Sequence, residues 1–175
     1  MKAKVIALIK HPPSLAWETM RDRLPEIAPL LGDIESVTPE SRQREPDGAW
    51  NLVNIWKARP HLPAIIASHI RPDMLAWTER SSWPTDSFEC SWKIEPHFFV
   101  ERIHCSGVTR YEPAMGGRGT RITFDGAIEI ETLNFPGVPT AIARMVTTGI
   151  EAFVSALIPK NFRKLAEAMA KLLDR

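Results

Sequence analysis

The chain has 175 residues, 44% of them apolar and 25% charged, and its 22 basic and 21 acidic side chains leave a formal charge of +1. That length fits one compact domain, and the composition excludes a disordered chain, a collagen-like repeat and a disulfide scaffold. A charge so near zero lacks the electropositive excess on which nucleic-acid affinity rests, so no nucleic-acid partner is expected.

Residues 2–10 read as a first strand, because Lys2 and Lys4 alternate with Ala3 and Val5. The apolar stretch Val5–Ile9 is too short for the core of an export signal. No run reaches the roughly 18 apolar residues of a membrane span. A cytoplasmic location is therefore expected, with transient membrane contact left open. Pro12-Pro13-Ser14 stops the strand and offers Ser14 as an N-cap, after which Trp17, Met20 and Leu24 follow at helical spacing. Pro25 and Pro29 keep that helix short. An extended segment over 33–44, the turn Glu45-Pro46-Asp47-Gly48 and a strand over 49–59 make a hairpin.

Over 60–73, Ile65, Ile66 and His69 share one face of a short helix or gate-like loop. Strands follow over 74–82, 88–95, 99–113 and 120–133, separated by turn formers that include Met115-Gly116-Gly117-Arg118-Gly119, and they form an antiparallel meander. In the last strand Ile122, Phe124, Ile128 and Ile130 alternate with polar residues, and Gly126 falls on the buried face. From 140 to 174 the period becomes 3.6, with Ile142, Met145, Val146, Gly149 and Phe153 starting one apolar stripe. Pro159 should kink or divide this closing helix.

The order of strand, short helix, run of strands and long helix resembles the START-like (SRPBCC, helix-grip) superfamily. His11-Pro12 leading to Trp17-Glu18-Thr19, the Pro46-Asp47-Gly48 turn, Trp77-Thr78-Glu79-Arg80-Ser81, and Tyr111-Glu112-Pro113 before Thr120 are similar to the PRELI/MSF1-like lipid carriers within it. The resemblance implies an α+β fold over residues 1–175 as a single domain. In it a curved antiparallel sheet wraps a long C-terminal helix around an internal apolar cavity. The superfamily also holds polyketide cyclases, hormone receptors and hydroxylase subunits, which leaves the activity open.

No chemical motif narrows it further. The five histidines show no HExxH or paired spacing, so no metal is expected, and no cofactor is expected either. The Gly116–Gly119 cluster lacks the ending of a phosphate loop, no GxSxG occurs, and Cys90 and Cys105 read as reduced, buried thiols on consecutive strands.

The cavity lining supplies the candidate ligand-binding residues: Trp77, Glu79, Trp92, Cys105, Thr109, Tyr111, Phe124, Ile128, Met145, Gly149 and Phe153. Thr109 and Tyr111 stand out because a hydroxyl on an apolar face needs a partner, which a ligand can supply. Trp77 and Glu79 share a face, so an inward Trp77 brings a carboxylate with it. Such a carboxylate needs Arg102 or Arg110 as partner, a raised pKa or a ligand contact, and an exposed surface Glu79 is the alternative. The expected function is binding or transport of a hydrophobic small molecule such as a lipid, polyketide or isoprenoid. The rivals are a cyclase or dehydratase using Glu79, Tyr111 or His104 as acid or base, and an interaction module with a solid core.

Overall fold

The computed structural model describes residues 2–59, 76–97, 102–131 and 139–175, with side chains in the C-terminal helix described at 140, 141, 144, 147, 148 and from 160 onward. The expected short helix over 60–73 lies outside the described residues. Strand β1 (Lys2–Ile9) leads into α1 (Pro13–Asp22), then the short α2 (Leu24–Ile27) and a 3-10 turn over Ala28–Leu30. Strands β2 (Ile34–Arg44), β3 (Trp50–Ala58), β4 (Ala76–Trp83), β5 (Glu89–Pro96), β6 (Ile103–Ala114) and β7 (Gly119–Ile130) follow, and α3 (Thr140–Leu173) ends the chain.

The strands form one antiparallel sheet in the order β1-β7-β6-β5-β4-β3-β2. The meander expected for the middle strands extends to all of β2–β7, and the first strand closes onto the last. Two hairpin turns carry the backbone chemistry anticipated for them. At the first, Gly48 takes φ +92° and donates its N–H to the Glu45 carbonyl at 2.9 Å, while the Asp47 side chain accepts from Ala49 N–H at 2.9 Å. At the second, Gly116 and Gly117 take φ +67° and +86°, a region open to glycine because it has no Cβ.

Two local expectations are corrected. Ser14 is not the N-cap: the cap is Pro12 and Pro13 opens α1, where the absent N–H and fixed φ of proline fit the first turn without any side-chain cap. Pro159 does not divide the closing helix, which runs as one element from Thr140 to Leu173. Pro25 and Pro29 act as expected, opening α2 and the 3-10 turn just after α1 ends.

One face of the sheet is the inner one. Period-2 alternation puts Val5 and Ile9 of β1, Leu52 and Trp56 of β3, Cys90 and Trp92 of β5 and Ile122 and Ile128 of β7 on it, all buried. The last part of α3 packs there through Phe162, Ala166, Met169 and Leu172, a stripe at helical spacing that includes a fully buried Met169. Phe162 meets Phe124 of β7 at 5.3 Å between ring centroids. Helix α1 seals one end with Trp17, whose ring lies edge-on to Trp83 at 5.7 Å and whose indole N–H donates to the Glu89 carbonyl at 2.8 Å. A salt bridge from Lys164 to Asp33 ties α3 to the start of β2.

Candidate functional site

The site is built on the inner face of the middle strands. Cross-strand register sets Asn54 of β3 directly opposite Glu79 of β4, Trp56 opposite Trp77, and Ile94 of β5 opposite Glu79 on its other side. Facing pairs in an antiparallel sheet share a face, so all five side chains project inward together. The Trp56 and Trp77 rings stack nearly parallel, 13° apart with centroids at 5.6 Å. The Trp56 indole N–H donates to a Glu79 carboxylate oxygen at 2.5 Å.

Glu79 is therefore a carboxyl inside the fold, and its partner is an indole. Burial pushes its pKa up to about 7, and the Trp56 N–H offsets part of that rise by stabilising the charged form. The residue is half-buried overall, with its carboxyl surrounded by protein. Two further titratable groups feel its charge. Burial pushes the Cys90 thiol and the Tyr111 hydroxyl well above their ordinary values, and the negative charge of Glu79 adds to both shifts. Asn54 is 4% exposed and Tyr111 3% exposed.

Beside this cluster lies an aromatic floor. Trp92 stacks on Phe124 at 4.6 Å and 18°, and its indole N–H donates to the Thr109 hydroxyl at 3.1 Å. The indole can lie flat because the rungs beneath it are Gly107 and Gly126, paired across β6 and β7. A Cβ at Gly107 would sit 2.5 Å from Trp92 Cζ2 and overlap the Asp125 carbonyl oxygen, and one at Gly126 would sit 2.7 Å from Trp92 Cη2.

Of the residues singled out in the sequence, Trp77, Glu79, Trp92, Cys105, Thr109, Tyr111, Phe124 and Ile128 all lie on the inner face. They fall into three groups: Glu79 with Trp77 and Tyr111, Trp92 with Thr109 and Phe124, and Cys105 paired with Ile128 four register positions further along β6. Burial pushes the Cys105 thiol up to about 11. The side chains of Met145, Gly149 and Phe153 lie outside the described residues, within α3.

Two expectations fail here. Arg102 and Arg110 do not partner Glu79, since both point outward and pair with Glu131 and with Glu89 respectively. His104 is exposed on the outer face, which removes it as an acid or base of the site. Thr109 already accepts a hydrogen bond from the Trp92 indole, and its O–H is left to donate. Sequence reasoning missed Asn54 and Trp56, although they continue the alternation of Trp50 and Leu52 and so mark an amide in an apolar stripe. Among the described residues, no group of three metal-ligating side chains converges and no helix is long and apolar enough to cross a membrane.

No family model matches the chain, and no curated protein matches it. Solved structures do. The chain is similar to the TTHA0849 protein of Thermus thermophilus, with TM-score 0.68 and 16% identity over 98% of this chain and 95% of that one. The shared architecture is a helix-grip fold, an antiparallel sheet with a long C-terminal helix. The Zhui aromatase/cyclase from Streptomyces sp. R1128 shares it at TM-score 0.63 and 14% identity, over 98% of this chain and 95% of that chain. So does norcoclaurine synthase from Thalictrum flavum at TM-score 0.63 and 10% identity, over 99% and 86%. Identities this low carry the fold without the chemistry.

Proposed function

We propose that this protein binds an apolar small molecule between the inner face of its sheet and α3. The observation that carries the reading is the composition of that face around Glu79. Stacked and half-buried aromatics, Trp77 and Phe124 among them, surround a few polar groups: the Glu79 carboxyl, the Asn54 amide and the Tyr111 hydroxyl. Small-molecule sites are built this way, with apolar walls for affinity and a few polar groups for orientation. Carriage of a lipid, polyketide or isoprenoid is the specific role, and a cytoplasmic location for a one-domain carrier belongs to the same reading.

A second reading, acid–base catalysis on the bound molecule, is favoured by one observation: the Glu79 carboxyl titrates near neutrality with Tyr111 within reach of its field. The experiment that tests the first reading is native mass spectrometry of freshly purified protein, followed by solvent extraction. Binding predicts an apolar compound that co-purifies or is taken up saturably from added candidates, with quenching of tryptophan emission. Protein that takes up no apolar compound has a solid core. Conversion of the recovered compound by the pure protein, lost in Glu79→Gln, would establish the second reading.

A further inference from the structure

We infer, resting on the binding site proposed above, that Glu79 and the Trp56–Trp77 stack select an apolar ligand that carries a protonated amine, with the ammonium seated between the carboxylate and the Trp77 ring. The geometry supplies the parts of an ammonium site. A carboxylate accepts N⁺–H donors and an indole face attracts a cation, and here they stand on one face, with Trp77 two residues before Glu79 on β4. Trp56 N–H holds one carboxylate oxygen, which fixes the rotamer and leaves the other oxygen for the ligand.

Among the described residues no cation competes for the place. The residues around Glu79 on its face are Asn54, Trp56, Trp77, Ser81 and Ile94, and the titratable groups within reach are Cys90 and Tyr111, both acids. Arg42 and Arg44, on the same side at the β2 edge, are held elsewhere: Arg42 by Asp22 at 2.7 Å and by the Trp50 ring at 4.4 Å, and Arg44 over the same ring. On α3, Arg144, Lys160, Arg163 and Lys171 are exposed and Lys164 is bound to Asp33. A carboxylate-bearing ligand such as a fatty acid would meet Glu79 with like charge. An ammonium meets opposite charge in a low-dielectric setting, where the attraction is far stronger than in water. With the carboxyl titrating near 7, the ammonium favours its charged form and expels its proton.

The test uses three probes of equal chain length on the full chain, decylammonium, decanol and decanoate, all below their aggregation concentrations, with affinities from tryptophan quenching and calorimetry. At pH 8 decylammonium should bind about tenfold or more tightly than decanol, and decanoate most weakly. Lowering the pH to 6 should remove most of that advantage, and calorimetry in buffers of different ionisation enthalpy should register proton release near pH 7. Glu79→Gln, which keeps an acceptor for Trp56, should abolish the preference, so that decylammonium binds no more tightly than decanol. Trp77→Leu provides a second variant that keeps the carboxylate and should weaken decylammonium more than decanol. If decanol binds and decylammonium binds no better, or if decanoate binds best, the inference falls while the binding reading stands. If none of the three binds, both fall.

Discussion

The Gly107–Gly126 pair permits a prediction whose sign differs between two similar substitutions. A Cβ at Gly126 would lie 2.7 and 3.0 Å from Trp92 Cη2 and Cζ2 and 3.1 Å from Phe124 Cε1, so every close neighbour is a side-chain atom of the stacked pair. Gly126→Ala must therefore push the indole off the sheet. Overpacking costs about 1–3 kcal/mol. Loosening the Trp92–Phe124 stack and the Trp92–Thr109 hydrogen bond adds about 1 kcal/mol more, giving a loss of about 2–4 kcal/mol. In a Trp92→Leu background the obstacle is gone, and the same substitution should cost less than about 1 kcal/mol, or even stabilise, since alanine is preferred to glycine inside a strand. Gly107→Ala behaves otherwise, because its Cβ overlaps the Asp125 backbone carbonyl as well as the indole, and a backbone held in the β6–β7 ladder cannot step aside. Its cost should persist without the indole. Urea unfolding followed by far-UV circular dichroism on the six proteins closes both cycles. Gly126→Ala costing the same with and without Trp92, or Gly107→Ala relieved just as fully, would refute the reasoning.

Three further outcomes are expected. The folded pKa of Glu79, about 7, lies above its ordinary value of 4.5, so the folded state holds that proton more tightly than the unfolded chain. The stability that Glu79 contributes is then greatest below about pH 4.5 and falls by about 2–3 kcal/mol as pH rises through 7. Urea unfolding across pH 4.5–8 should show that slope in the parent protein and lose it in Glu79→Gln. Cys90 and Cys105 should resist a thiol reagent in the native state and both react after unfolding, since both are buried with raised pKa. Trp17→Phe should lower stability by about 1–2 kcal/mol, because it removes the donor to Glu89 while keeping most of the ring contact with Trp83, as read by thermal unfolding.

What the sequence revealed and what it hid follow from the range of each signal. Alternation is local, so the inner faces of β5, β6 and β7 were legible from Cys90, Trp92, Thr109, Tyr111, Ile122 and Phe124 alone. The same alternation excludes Arg110 from the face of Thr109 and Tyr111, and Arg102 from that of Ile103, so the search for a partner to Glu79 failed by setting parity aside. The true partner, Trp56, depends on the β3–β4 register, which rests on pairing across a segment of some twenty residues. Register also keeps the two cysteines apart. They lie on consecutive strands as expected, but Cys90 pairs with Thr109 and Cys105 with Ile94, about 13 Å apart along β6 at the usual rise per residue. The Ser14 cap failed for a different reason: proline's fixed φ suits the first helical position, so α1 starts at Pro13 and Ser14 falls inside it.

The closure of β1 onto β7 has a kinetic consequence. Lys2 pairs with Ala127 and Ile9 with Thr120, so every rung of that ladder joins residues more than a hundred positions apart, while β2 to β7 pair mostly with sequence neighbours. Loop closure over such a distance is entropically costly, and contacts of this kind form late. During synthesis β1 leaves the ribosome long before β7 exists, carrying Val5 and Ile9, which later become core, and Ile6 and Leu8, which stay exposed even in the finished fold. Until then it is an unpaired apolar strand with two free edges, the form of chain most open to the wrong partner. Lys2, Lys4 and Lys10 bracket that stretch, and like charges on a waiting strand oppose its pairing with a second nascent copy.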